Sequence, residues 1–267
     1  MPLSPLQSVF LKLKRAEHHR QTLDAQASEF FGHEPERVVA KRDEKRQWTP
    51  FLREPLPPDW PGIAGDCLQN LRSALEHIPW ACALRATDSP PESVTFPIRN
   101  DSHAWDSWAG KKSVKAARAV IGEDAWTILH DVQPYKNGNV NLQLEPLWML
   151  NELARLDRHQ TLHLALVTPT TTRMSAQPLP LRGNIVTGRD SRPDWPRFAT
   201  PVFDDPELAG SVKINDTQIR TYPQVVFMLC LGPNQSFNAP VALFENLEII
   251  ETYLRQLIVP RFQNLFR

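Results

Sequence analysis

The hydrophobic pattern of this 267-residue chain changes period once, close to residue 165, and that change limits the folds open to it. Before it, apolar residues recur at helical spacing. Leu6, Val9, Phe10, Leu13, Leu23, Ala27, Phe30 and Phe31 predict an amphipathic helix over 5–31, and Leu68, Leu71, Leu75, Ile78 and Cys82 predict another over 63–85. Leu153, Leu156 and Leu164 carry a third over 145–167, opened by Pro146 in a first turn where a missing N–H costs nothing. Beyond 165 the runs become short and rich in Val, Ile, Thr and Phe, as in "NIVTG", "RFATPVF" and "SVKIN", which is strand composition. A last apolar stripe, Leu243, Leu247, Ile250, Leu254, Leu257 and Ile258, predicts a closing helix over 240–264. The expected fold class is α+β in a single domain over 1–267. It has a helical bundle core over about 1–167, an antiparallel β-sheet in the C-terminal third over about 168–235, and a closing C-terminal helix.

Smaller features fit between these elements. Residues 36–55 alternate β-branched and aromatic groups around a charged centre and predict an exposed hairpin, and "SVKINDTQIR" predicts a tight one around Asn215 and Asp216. "VTFPI" at 94–98 reads as extended, and 101–135 as one or two short helices anchored by Trp105, Trp108, Ile121, Trp126, Ile128 and Leu129. With 25 prolines against 10 glycines, connections such as "EPLPPDWPG" are rigid and deliver the chain into the next helix at a fixed angle.

Thirty basic residues balance thirty acidic ones, so no global field gathers nucleic acid or an anionic membrane. The basic stretches at 12–20, 37–46 and 111–118 are candidate local contacts for RNA phosphates, though a charge-balanced surface explains them too. Three cysteines without a CxxC pair exclude a zinc ribbon and point to a reducing compartment. Cys67 and Cys82 fall at apolar positions and read as core. There is no apolar leader before the first charges, and the longest apolar run, "VVFMLCL", is too short to span a bilayer. The expectation is a cytoplasmic protein with no membrane contact. Phosphate-cradling glycine motifs and the serine-hydrolase elbow are absent, and no cofactor is expected.

The helix over 63–85 carries the densest chemistry. Opposite its apolar stripe, Asp66, Asn70, Ser73 and His77 fall within a sector of roughly 60°, at about 100° per residue. These are short hydrogen-bonding groups rather than the Lys and Glu of an ordinary wet face. Pro79 removes a donor to the carbonyl of Leu75, which predicts a bend or helix end beside His77. The stripe is either a site or an internal polar network between helices, met by Arg155, Asp157 or His159 of the 145–167 helix.

The segments "NLRSALEHIPW", "VQPY" and "LWMLNELARLDRHQTLHLAL" together are similar to a widespread group of uncharacterised bacterial proteins, over much of the first 167 residues; this resemblance implies no activity. Arg72-Ser-Ala-Leu-Glu-His77 also resembles the Arg-x4–6-His motif of HEPN-domain proteins, which are helical, usually dimeric and often metal-independent ribonucleases. That resemblance implies RNA as partner, a homodimer, Arg72 stabilising phosphate charge and His77 transferring the proton, with Asn70 and Ser73 as neighbouring supports. Ser73 departs from the family, which commonly places Asn, Asp or His directly after the arginine. In an unbroken helix Arg72 and His77 also point about 140° apart. A third reading is a metal-dependent hydrolase, since His159 and His163 at i and i+4 of one helix have the spacing for a shared metal ion.

Overall fold

Pro61 near its start and an apolar stripe that never breaks produce a 24-residue helix with a buried face, Trp60–Ala83. The computed structural model describes residues 6–32, 38–42, 48–138, 141–159, 162–167, 198–199, 202–203, 210–214, 217–221, 227–231, 237 and 241–266. In chain order these form α1 (Gln7–Gly32), β1 (Val38–Arg42), β2 (Trp48–Leu52) and α2 (Trp60–Ala83). Three short helices follow, α3 (Ser102–Ala109), α4 (Lys112–Ile121) and α5 (Glu123–Asp131), then α6 (Pro146–His159). Strands β3 (Leu164–Val167), β4 (Phe198–Ala199), β5 (Val202–Phe203), β6 (Gly210–Ile214), β7 (Thr217–Thr221) and β8 (Phe227–Leu231) come next, and α7 (Leu243–Tyr253) and α8 (Val259–Gln263) close the chain. The fold is α+β: a helical core, antiparallel strand pairs in the C-terminal third and a C-terminal helix. No helix among the described residues is long and apolar enough to cross a membrane.

Contacts group the chain into two compact units, one of residues 1–23, 59–163 and 232–267, the other of 24–58 and 164–231. The second holds the strands. β1 and β2 pair antiparallel from Val38 opposite Leu52 to Arg42 opposite Trp48, the hairpin expected over 36–55, and β1 also pairs in parallel with β5. β8 pairs antiparallel with β3 and β4. β6 and β7 pair antiparallel with Ile214 opposite Thr217, and the turn expected at Asn215 and Asp216 lies outside the described residues.

The first unit is helical. Val9, Leu13, Ala16 and Leu23 of α1 are buried, as are Leu68, Leu71, Leu75, Ile78 and Cys82 of α2, so the periodicity locates the core. α2 packs on α4, α6 and α7. Gly122 has φ +90°, a left-handed value that turns α4 directly into α5 and that a side chain would oppose. Trp108 and Trp126 stack at 5.5 Å with planes 5° apart, Arg99 lies over Trp108 and Arg118 over Trp126, each 5.2 Å from the ring centre. Arginine, two indoles and arginine thus tie the short helices together. On the other side, Glu251 of α7 is 5 % exposed and accepts from Arg20 Nε and Arg255 Nε, both at 2.8 Å. Arg255 Nη2 further donates to Glu17 and to the Leu13 carbonyl, both at 3.0 Å, binding α1 to the closing helix with two cations and two carboxylates.

Three expectations need correcting. The helix over 145–167 ends at His159, and β3 begins at Leu164. Leu164 falls on the stripe of Leu153 and Leu156 by coincidence, whereas Leu162, Leu164 and Leu166 together alternate with period two, and Arg158 and His159 in the last turn suit a helix C-terminus. The bend expected at Pro79 does not end α2: the proline is buried inside a helix that continues to Ala83, so His77 is not at a helix terminus. Leu257 is 51 % exposed because the closing helix widens into one π-turn over 254–258, which shifts the register and seats Ile258 and Val259 in the core.

Candidate functional site

The site begins with a piece of backbone outside regular structure. Residues 94–99 belong to neither helix nor strand, with Val94, Phe96 and Ile98 buried, and α2 and Gln133 supply polar partners for their peptide groups. Arg72 Nη2 donates to the Phe96 carbonyl at 3.0 Å, and Glu76 Oε2 accepts the Phe96 N–H at 2.8 Å. Arg72 and Glu76 are one helical turn apart and also pair with each other, at 2.6 Å. From the other side, Gln133, fully buried, donates to the carbonyls of Pro97 at 2.9 Å and Leu129 at 2.7 Å, and accepts the Arg99 N–H at 2.8 Å. Arg72 is therefore an interior residue of the helical unit. Burial pulls its guanidinium below the usual arginine value; Glu76 opposes this, while Arg158 and Arg99 add to it.

The polar stripe meets a different environment. Asp66 is exposed, Asn70 donates to the Asp66 backbone carbonyl at 2.8 Å within its own helix, and Ser73 and His77 are half-buried. It is not the enclosed network that was the alternative to a catalytic site. Burial, and then Lys12 of α1, hold the His77 imidazole below its usual value against the pull of Glu76. The charged groups around His77 are thus Lys12 and Glu76, whereas those around Arg72 are Glu76, Arg158 and Arg99. On a helix that runs unbroken through both, the pair keeps its separation of about 140°.

α6 reaches α2 through residues other than those expected. Gln69 donates to the Ala154 carbonyl and to Asp157 Oδ2, both at 2.9 Å. Gly65 makes room for this: a Cβ there would overlap the Asp157 carboxylate. Arg155 instead pairs with Glu152 of its own helix at 2.8 Å, and His159 is exposed at the helix end. Of the expected cluster, Asp157 is the residue whose described hydrogen bond joins α2. His163 lies beyond α6, so the shared-metal spacing with His159 is lost, and among the described residues no three His, Cys, Asp or Glu side chains gather as a metal site.

Sequence reasoning missed Gln69, Glu76, Gln133 and Gly65. Glu76 had a legible signal in its i,i+4 spacing from Arg72. A glycine inside a strong helix was another, since it costs stability unless something needs the space. Cys67 and Cys82 lie in the core as expected, and burial pushes their thiols up to about 12 and about 11. Against models of known families, curated proteins and solved structures, the chain has no match.

Proposed function

We propose that this is a non-catalytic binding protein of the cytoplasm, in which the polar residues of α2 hold the helical unit together. One observation carries the reading: Arg72 and Glu76 together occupy both the N–H and the carbonyl of Phe96, so the arginine of the Arg-x4-His pattern is already committed to the fold. An arginine that neutralises a phosphate in flight needs its fork turned outward. The cytoplasmic part draws support from Cys67 and Cys82, which are buried thiols in no disulfide.

The HEPN-like ribonuclease is the second reading, and the half-buried His77 favours it, since an imidazole held below its usual value stays neutral at pH 7 and is free to accept a proton. It then requires a homodimer in which a second copy supplies the arginine and RNA is the substrate. Incubation of purified protein with RNA in EDTA, beside His77→Ala, decides between them. The binding reading expects no cleavage above a protein-free control, from either form. EDTA-resistant cleavage that disappears in a His77→Ala variant of unchanged Tm would overturn it.

A further inference from the structure

Doublets of like side chains recur every four residues along the first half of α1: Phe10 and Leu11, Lys14 and Arg15, His18 and His19. A spacing of four sets each doublet over the one before it on the helix surface, about 6 Å further along the axis at about 1.5 Å per residue. Val9, Leu13 and Ala16 occupy the opposite side and are buried in the core. The doublets therefore face outward as three tiers, apolar at the N-terminal end, then cationic, then imidazole.

The fold leaves these tiers open. Phe10 is 40 % exposed and Leu11 47 %; Lys14, Arg15 and His18 are exposed and His19 is half-buried. Among the described residues, Lys14 and Arg15 make no side-chain hydrogen bond or ion pair. The one carboxylate of α1 before Asp24 is Glu17, and it is turned to Arg255 at 3.0 Å. A lone exposed leucine or phenylalanine is ordinary on a protein surface. Here two adjacent ones are backed, one turn later, by two cations without partners. The basic helix α4 differs: Lys111, Lys112 and Lys115 are exposed on it, but no large apolar side chain is, and its Arg118 pairs with Glu123.

We propose that the first half of α1 docks the protein onto the surface of an anionic phospholipid bilayer. Phe10 and Leu11 enter the boundary between headgroups and acyl chains, where an amphipathic helix buries its apolar face by about 5–10 Å. Lys14 and Arg15, one turn behind, meet the anionic headgroups, and His18 and His19 stay in the headgroup water. Helical Cα–Cβ bonds tilt toward the N-terminus, so both cationic stems lean over the apolar pair and widen it while their heads remain wet. A contact of this kind needs no spanning helix, and a chain of zero formal net charge makes it through a local patch. Single-stranded RNA also takes aromatic and basic groups, but it sets base against ring and phosphate against cation, and Leu11 offers it neither. The inference goes beyond the reading of α2 and uses no residue of the Phe96 clamp.

Co-sedimentation of the purified chain with vesicles tests the surface, comparing phosphatidylcholine alone with a mixture holding roughly one-third phosphatidylserine. The mixed vesicles are expected to bind on the order of tenfold more tightly. Lys14→Gln and Arg15→Gln should each weaken that binding about fivefold and Leu11→Ser about tenfold, with Tm unchanged because all three side chains are exposed. Lys112→Gln and Lys115→Gln on α4 should leave it unchanged. Equal affinity for the two vesicle types, or none for either, would overturn the proposal. So would an equal loss from the α1 and α4 variants, which marks adsorption by charge alone. A single-stranded oligoribonucleotide held through Lys14 and Arg15 more tightly than the mixed vesicles would also sink it, and assign the patch to nucleic acid.

Discussion

Two polar networks stitch the helical unit, and they are built on different terms. Around Glu251, two arginines meet two carboxylates and a backbone carbonyl, and charge closes within the fold. Around Phe96, Arg72 and Glu76 pair with each other and spend their other bonds on backbone, Glu76 on the N–H and Arg72 on the carbonyl of Phe96, while Gln133 holds Pro97, Leu129 and Arg99. The first network joins helix to helix through side-chain charge. The second fastens a segment that belongs to neither helix nor strand through its peptide groups. Both networks contain arginine and glutamate at helical spacing, so residue types alone do not separate them. The partner does, carboxylate in one and peptide group in the other.

The comparison can be broken at its balanced end first. Glu251→Ala leaves Arg20 and Arg255 facing each other without their shared acceptor, and should cost about 3–4 kcal/mol in urea denaturation; both arginines are partly exposed and regain some hydration. A loss below about 1 kcal/mol would mean that the joint is not a joint. Next comes Gln133→Leu, which keeps the volume and strips the Pro97 and Leu129 carbonyls and the Arg99 N–H of their partner. About 2–3 kcal/mol is expected in the same measurement. Unchanged stability would show that water replaces the side chain.

The smallest effect belongs to His77 and is seen in pH. The folded value is depressed by burial and by Lys12, so the unfolded chain binds the proton more readily. Stability should therefore fall as pH drops through the ordinary value of 6.5 and keep falling until the lowered folded value is passed, with no contribution above 6.5. His77→Ala should flatten that part of the curve of Tm against pH. An identical acid limb in both proteins would remove His77 from any titrating role.

How much of this was written in the sequence depends on the range of the interaction. Elements set by neighbours three, four or two residues away were legible: α1, α2, both hairpins, and the core residues Leu68, Leu71, Leu75 and Ile78. Where two periods overlapped, at Leu164, one residue fitted both the helical stripe of Leu153 and Leu156 and the alternation of Leu162, Leu164 and Leu166, and the helix was carried too far. The candidate site was legible only as residue types. Arg72, His77 and Asp157 were named, but their partners are Phe96 at 24 residues' separation and Gln69 at 88, and no spacing rule reaches across such distances. Gln133 gave no local signal before its proline, yet among the described residues it is the most fully enclosed polar side chain of the helical unit.

The segment at 94–99 has one further consequence. Extended backbone with free donors and acceptors is a template on which another chain can lay a strand, and so a route to edge-to-edge association. Here four of its backbone groups are already taken by side chains, Arg72 and Glu76 on Phe96 and Gln133 on Pro97 and Arg99. A passing strand would have to evict three anchored residues to find a place. The clamp therefore works as an insulator, keeping backbone that belongs to no helix or strand from recruiting another chain.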